Sequence, residues 1–219
     1  RRRDQACYDL LASEARLASF LLIAQGQLPQ KHWYSLGRLL TSHGGDISLI
    51  SWSGSMFEYL MPHLIMPSYD NTLLAQTCKA AVLRQVEYGE QRNVPWGISE
   101  SCYNTTDSQQ IYQYRAFGVP GLGFKRGLGD DLVIAPYASA LALTVMPQLA
   151  CNNLQTLAAI GMLGTYGFYE AADYTPSRVP RGKSSVTVRT FMAHHQGMSL
   201  LAFEQTLLNS PMQRRFMSD

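Results

Sequence analysis

A chain of 219 residues that is 46% hydrophobic and 16% charged can bury a full core, which excludes a disordered segment and fits one domain. Its formal charge of +2, with Lys and Arg scattered along the chain, provides no dense basic stripe and argues against nucleic acid as a partner. The longest apolar run, LASFLLIA at 17–24, is far short of the roughly 18 to 20 residues of a membrane span, and the opening RRRDQACYDLL mixes basic with acidic residues, unlike a signal peptide.

In chain order, residues 7–24 (CYDLLASEARLASFLLIA) are apolar nearly all the way round, the pattern of a buried helix. Glu14 shares a helical face there with Leu10, Leu17 and Leu21, which suits either a catalytic carboxyl or a structural ion pair with nearby Arg16. DISLISW (46–52) is an alternating run, a hairpin piece or an extended loop. Residues 54–66 (GSMFEYLMPHLIM) predict a second buried helix containing Glu58; burial would favour a neutral carboxyl suited to general acid work, while a hydrogen-bonded structural carboxylate fits the same residues. Residues 71–89 keep Gln76, Lys79, Arg84 and Glu87 off a Leu74, Cys78, Ala81 stripe, and NNLQTLAAIG (152–161) starts at an Asn cap, so both are expected as outer helices. PYASALALTV (136–145), with Pro136 in its first turn, and HHQGMSLLAFEQTLL (194–208) join the buried set, and SSVTVRTF (184–191) is a second alternating run. The expected fold is all-α, two concentric layers of helices in an α/α toroid. Cys7, Cys78, Cys102 and Cys151 lie far apart with no C-x-x-C pair, which predicts buried free thiols rather than disulfides or a zinc site.

WGISES (96–101) and YGFYEA (166–171) repeat aromatic-Gly-x-x-Glu-small, and each is expected to lead from an outer helix into an inner one, bringing Glu100 and Glu170 to one rim of the central cleft. Trp52, Trp96, Tyr103, Tyr114, Tyr166 and Tyr169 concentrate in these segments beside Glu58, Glu100, Glu170 and Asp173. Aromatic faces stack on the C–H faces of sugar rings, and paired carboxylates supply the proton donor and the base or nucleophile of glycosidic cleavage. An aromatic core with helix-start carboxylates accounts for the same composition. His194 and His195 diverge by about 100° on a helix and cannot chelate one metal, so they are assigned, with Arg115 and Gln196, to sugar hydroxyls. GVPGLGFKRGLGDD (118–131) lacks the Lys-Ser/Thr of a nucleotide loop and reads as a flexible loop bordering the cleft. Neither metal nor cofactor is required by any of these residues.

The segments YDLLASEARLASF, SWSGSMFEYLMP, QVEYGEQRNVPWGISES, YQYRAFGVPGLGFKRGL, APYASALAL, YGFYEAADYTP and FMAHHQGMSLLA, in this order, closely resemble the glycoamylase-like domain of bacterial cyclic β-1,2-glucan synthases. The resemblance implies one catalytic domain over residues 1–219, with an (α/α)6 toroid incomplete on its N-terminal side. It implies a retaining transglycosylase that closes linear β-1,2-glucan into rings, with hydrolysis as the alternative outcome of the same chemistry and a non-catalytic glycan-binding module as the third reading. The parent enzymes are large proteins embedded in the bacterial inner membrane, so other domains of the same chain would be partners and the cytoplasmic face the location. The family's acidic positions fall on Glu14, Glu58 and Glu100, with Glu170 in a further motif. Glu100 is the chosen proton donor because the polar stretch 104–110 after it can admit a sugar chain; Glu170 and Asp173 are expected to fix hydroxyls, and Trp96, Tyr103, Tyr166 and Tyr169 to form stacking walls.

Overall fold

The computed structural model describes residues 8–218, so Cys7 and the basic opening of the chain lie outside the described residues. The chain turns helical at α1 (Ala15–Ala24), not at the start of the expected 7–24 run. Ser13 Oγ accepts the Ala15 N–H at 3.0 Å, and Leu10 is bridged to Gly37 in extended conformation. That local side-chain bond offers the backbone an alternative to helix. A short α2 (Lys31–Ser35) leads to the hairpin of β1 (Leu40–His43) and β2 (Asp46–Leu49), which takes the first alternating run. Then α3 (Met56–Leu60) tightens into a 3₁₀ turn at Met61–Leu64, where Pro62 has no N–H to extend an α ladder.

The long outer helix α4 (Leu73–Arg92) starts at Thr72, whose hydroxyl accepts the Ala75 N–H, and stops at Asn93 in the left-handed conformation. It is followed by the hairpin of β3 (Ser101–Thr106) and β4 (Tyr112–Arg115), then β5 (Val133–Ile134), α5 (Pro136–Ala142) and α6 (Pro147–Ala159). α6 starts at Pro147, ahead of the expected Asn152 cap, because proline is pre-organised for a first helical turn. The small hairpin β6 (Leu163–Gly164) and β7 (Gly167–Phe168) precedes β8 (Ala171–Asp173), β9 (Val186–Val188), α7 (Ala193–Leu207) and α8 (Pro211–Phe216). β8 is the central strand of an antiparallel sheet ordered β5-β8-β9, which takes the second alternating run.

Helices carry the layers and the short strands are confined to the connections. α5 packs against α3, α6 and α7, and α4 packs on α3. Every side chain of α5 is buried, and its alanines let three helices approach closely. Fully buried leucines such as Leu60, Leu141 and Leu157 each contribute about 1.5–3 kcal/mol. Two helices expected to be buried are not: α1 buries only Arg16 and Ser19, and α7 leaves Leu200 and Leu207 exposed.

Candidate active site

The first acidic position is fixed by alternating serines. Glu58 closes a capping box with Ser55 at the start of α3. Its two oxygens accept from the N–H groups of Trp52, Ser53 and Ser55 at 3.0–3.1 Å and from the hydroxyls of Ser51, Ser53 and Ser55 at 2.6–3.1 Å. Six donors on two oxygens fold residues 51–55 into a tight cradle and leave no lone pair free for a substrate. The glycine-rich loop lies against this cradle: a Cβ on Gly118 would collide with the Ser53 carbonyl, and Ser51 is bridged to Gly123. That contact carries Phe124 and Lys125 to the rim.

Glu14 occupies the N-cap position of α1 beside the cradle, without the expected ion pair. Arg16 spends its guanidinium on the carbonyls of Ser13, Glu58 and Tyr59 at 2.6–3.0 Å. Burial, and then the nearby Glu58 carboxylate, push the Glu14 carboxyl above its usual range, and Glu14 Oε2 is a buried oxygen with no hydrogen-bond partner. Glu100 comes from the other side, at the end of an extended segment pinned at both edges. Gln85 on α4 bonds both polar groups of Ile98 at 2.7 Å, and Asn153 on α6 bonds both polar groups of Trp96. Tyr137 Oη lies 2.7 Å from Ser99 Oγ and 2.9 Å from the Glu100 carbonyl. Burial raises the Glu100 carboxyl as well, opposed by the Tyr114 hydroxyl at 3.2 Å and reinforced by Glu14.

Glu14, Glu58 and Glu100 thus line one open cleft of about 410 Å³, with Trp52, Phe124 and Lys125. Trp52 is 42% exposed and lies 5.7 Å, centroid to centroid, from Phe124, giving a partly open aromatic wall. Lys125 Nζ donates to the Ala116 carbonyl, and burial, then Arg115, depress it below the usual lysine range. Phe124, Lys125 and Tyr8, which also lines the cleft, were not singled out by the sequence; the first two sit within the loop expected to border it.

Glu170 does not join them. Its side chain is fully buried, accepts from the Cys102 N–H at 3.1 Å, and pairs with His195 Nδ1 at 2.9 Å. The motif leads into a strand in both copies, β3 after Glu100 and β8 after Glu170, so the expected inner-helix starts are corrected. The His195 ring stacks on Tyr137 at 3.7 Å and 11°. With Tyr169, Gln196, Phe168 and Phe203, these groups line a second, mainly apolar chamber of about 270 Å³. Gln196 Nε2 donates to the Phe168 carbonyl. Burial, then His195, depress His194, whose ring lies 4.0 Å from that of His195.

The remaining expected sugar contacts are elsewhere. Trp96 is 8% exposed and belongs to the core, its backbone held by Asn153. Asp173 is buried and accepts from Arg178 at 2.7 Å, Thr175 N–H at 2.9 Å and Asn104 N–H at 3.0 Å. Arg115 pairs with Asp131, which also holds Arg178, and Arg178 lies over the Tyr103 ring, itself edge-on to Phe117. Tyr166 is exposed and meets Phe191, with Tyr169 on the same phenyl ring. Cys78 and Cys102 are buried free thiols as expected, whereas Cys151 is exposed on α6. Among the described residues no group of three or more His, Cys, Asp or Glu could hold a metal ion, and no helix is long and apolar enough to cross a membrane.

The chain is 50% identical over 216 residues to the cyclic β-(1,2)-glucan synthase NdvB of Rhizobium meliloti (strain 1021), a match that covers 99% of this chain but only 8% of that protein. Among solved structures, the endo-β-1,2-glucanase of Talaromyces funiculosus in complex with sophorose aligns with a TM-score of 0.67 at 17% identity, over 99% of this chain and 46% of that one. The endo-β-1,2-glucanase of Chitinophaga pinensis, in complex with sophorotriose and glucose, aligns with a TM-score of 0.57 at 17% identity, over 83% of this chain and 43% of that one. These likenesses establish the α/α toroid fold, of which the chain spans somewhat under half the length of either solved relative. The Glycoamylase family model, described as "Putative glucoamylase", matches residues 7–219, and the chain belongs to that family.

Proposed function

We propose that the chain is the catalytic domain of a transglycosylase acting on linear β-1,2-glucan, with Glu100 as proton donor and Glu14 as its partner carboxylate. The observation that carries this reading is that two carboxyls, both raised by burial, face one cleft beside an exposed tryptophan, in a chain half identical to a cyclic β-(1,2)-glucan synthase. A carboxyl raised by burial holds its proton more tightly than an exposed one and can deliver it to a leaving glycosidic oxygen, while a second carboxyl, once ionised, stabilises or traps the positive anomeric carbon. Glu58 holds the cradle on which Trp52 is mounted, and takes no part in the proton transfer. Retention follows if Glu14 bonds the anomeric carbon directly, and the glucanyl group then passes to a sugar hydroxyl, its own chain end giving a ring. Other domains of a membrane-embedded parent chain, at the cytoplasmic face, complete this reading.

Incubation with linear β-1,2-glucan tests it. Rings formed with the number of glycosidic linkages conserved support transglycosylation. Falling mean chain length with new reducing ends replaces it by hydrolysis in the same cleft, and binding without any product replaces it by a glycan-binding module.

A further inference from the structure

The hydroxyl of Tyr114, on β4, stands between the two motif copies. It lies 3.2 Å from Oε2 of Glu100 and 3.4 Å from Nε2 of His195. Behind it, His195 Nδ1 lies 2.9 and 3.1 Å from the two oxygens of Glu170, whose Oε1 also accepts from the Cys102 N–H. A carboxylate in that position takes the Nδ1 hydrogen and leaves Nε2 as the ring atom whose protonation can change. Tyr137 fixes the plane of the imidazole by stacking, and its own hydroxyl is committed to Ser99 and the Glu100 carbonyl.

Tyr114 owns one hydrogen and two acceptor lone pairs. When the hydrogen points to Nε2, the imidazole is neutral and Glu100 must carry a proton to bond the phenolic oxygen. When it points to Glu100, the carboxylate is ionised and Nε2 must carry the proton. Both arrangements contain the same number of protons and satisfy all three groups. With one proton more, the phenolic hydrogen has no acceptor among them; with one fewer, an acceptor goes without a donor. The other titratable groups facing this set are Glu14, Glu58 and Lys125 near Glu100, and His194, Tyr137 and Cys102 near His195 and Glu170. Among the described residues, only Glu100 and His195 hydrogen-bond the Tyr114 hydroxyl.

Resting on the assignment of Glu100 as proton donor, we propose that Tyr114 couples Glu100 to the buried His195–Glu170 pair, so that Glu100 and His195 hold one proton between them. Tyr114, His195 and Glu170 are then positioning residues for the acid. As the glycosidic C–O bond breaks, Glu100 gives its proton to the departing oxygen, and the phenolic hydrogen swings from Nε2 to the new carboxylate, so that the one acceptor left without a donor is the neutral Nε2 and not the charged carboxylate. A proton returned to Glu100 from the attacking hydroxyl reverses the swing. No proton crosses the relay, and the count closes over one transfer.

The test follows the His195 ring by ¹⁵N NMR across the acid-to-neutral range, without substrate. The signal is identified by its loss in His195→Gln or, should that variant melt early, by elimination with substitutions of the other four of the five histidines. In the unaltered chain the Nε2 signal should move in two steps, one belonging to Glu100. Glu100→Gln should remove that step, because the amide mimics the protonated acid as a donor to Tyr114. Tyr114→Phe, which deletes one oxygen, should remove it too although Glu100 remains. A single step untouched by Glu100→Gln, or two steps that survive in Tyr114→Phe, overturns the coupling. In turnover, Tyr114→Phe should lose about ten- to a hundredfold in kcat with KM little changed, the fold-change that a hydrogen bond to a charged group carries; a change in KM alone overturns the positioning role in favour of a sugar contact. Because the ring signal needs no substrate, loss of the Glu100 assignment would abolish the predicted effect on kcat and leave the NMR coupling intact.

Discussion

Gly97 and Gly167 sit at φ of 119° and 108°, and each is followed by two spacers and a glutamate at the edge of a strand, yet Glu100 opens on the cleft while Glu170 is sealed. The backbone of the two motif copies is alike because only glycine adopts that φ without strain. Their neighbours differ. β3 belongs to an outer hairpin whose polar tip is exposed, so Glu100 keeps one face toward the cleft. β8 is the middle strand of its sheet, and α7 brings His195 onto the Glu170 that precedes that strand. A repeated motif therefore specifies a path for the chain, and the elements packed on that path decide whether its carboxyl meets substrate or another side chain.

Substitutions at the two glutamates should separate most sharply in turnover. Glu100→Gln removes the proton donor and should lower turnover of β-1,2-glucan by about 10²- to 10⁴-fold while oligosaccharide affinity, followed by calorimetry, survives. Glu170→Ala breaks a buried pair and should instead destabilise the fold by about 3–5 kcal/mol in denaturant unfolding. An exposed-site response, lost affinity with unchanged stability, would return Glu170 to the substrate. The aromatic partners of the two regions divide in the same way. Trp96→Ala should cost about 3–5 kcal/mol as a core truncation, whereas Trp52→Ala should weaken oligosaccharide binding by roughly tenfold, about one stacked ring, with little change in melting. The reverse pattern would exchange their roles.

The smallest effect is the pH dependence of stability. Burial holds Glu14 and Glu100 above the usual carboxylate value of 4.5 in the folded chain. The folded state then binds these protons more tightly than the unfolded one. The stabilisation is fully present below the unfolded value and is lost as pH rises through the raised native values. Glu14→Gln should therefore lose less stability than the unaltered chain between acid and neutral pH, measured as melting midpoint against pH. A parallel fall in both would place Glu14 in open solvent.

Much of this comparison was legible in residues alone. Periodicity located α4, α5 and α7, and the aromatic and acidic segments, with the family resemblance for Glu14, put Trp52, Glu14, Glu58 and Glu100 on one cleft together with Glu170, which the structure sets apart. The capping-box spacing of Ser55 and Glu58 was also present, and with the serines at 51 and 53 it could have indicated a caged carboxylate. The buried state of Glu170 was not legible, because it depends on His195 arriving from α7, 25 residues later in sequence. Trp96 reads like a stacking residue for the same reason: the Asn153 amide that grips its backbone comes from another helix. The β3–β4 hairpin was missed because its strands carry polar, unevenly alternating residues, and its register is broken between Cys102 and Thr106.

The most direct test of the account is a crystal structure of the Glu100→Gln variant with a bound β-1,2-glucan oligosaccharide. The account predicts a glycosidic linkage in the cleft beside Trp52, with the substituted amide on one side of the reacting sugar and Glu14 on the other, and no sugar atom within hydrogen-bond reach of Glu170. A chain threaded instead through the chamber of Tyr169 and His195, with its hydroxyls on Glu170, would contradict it.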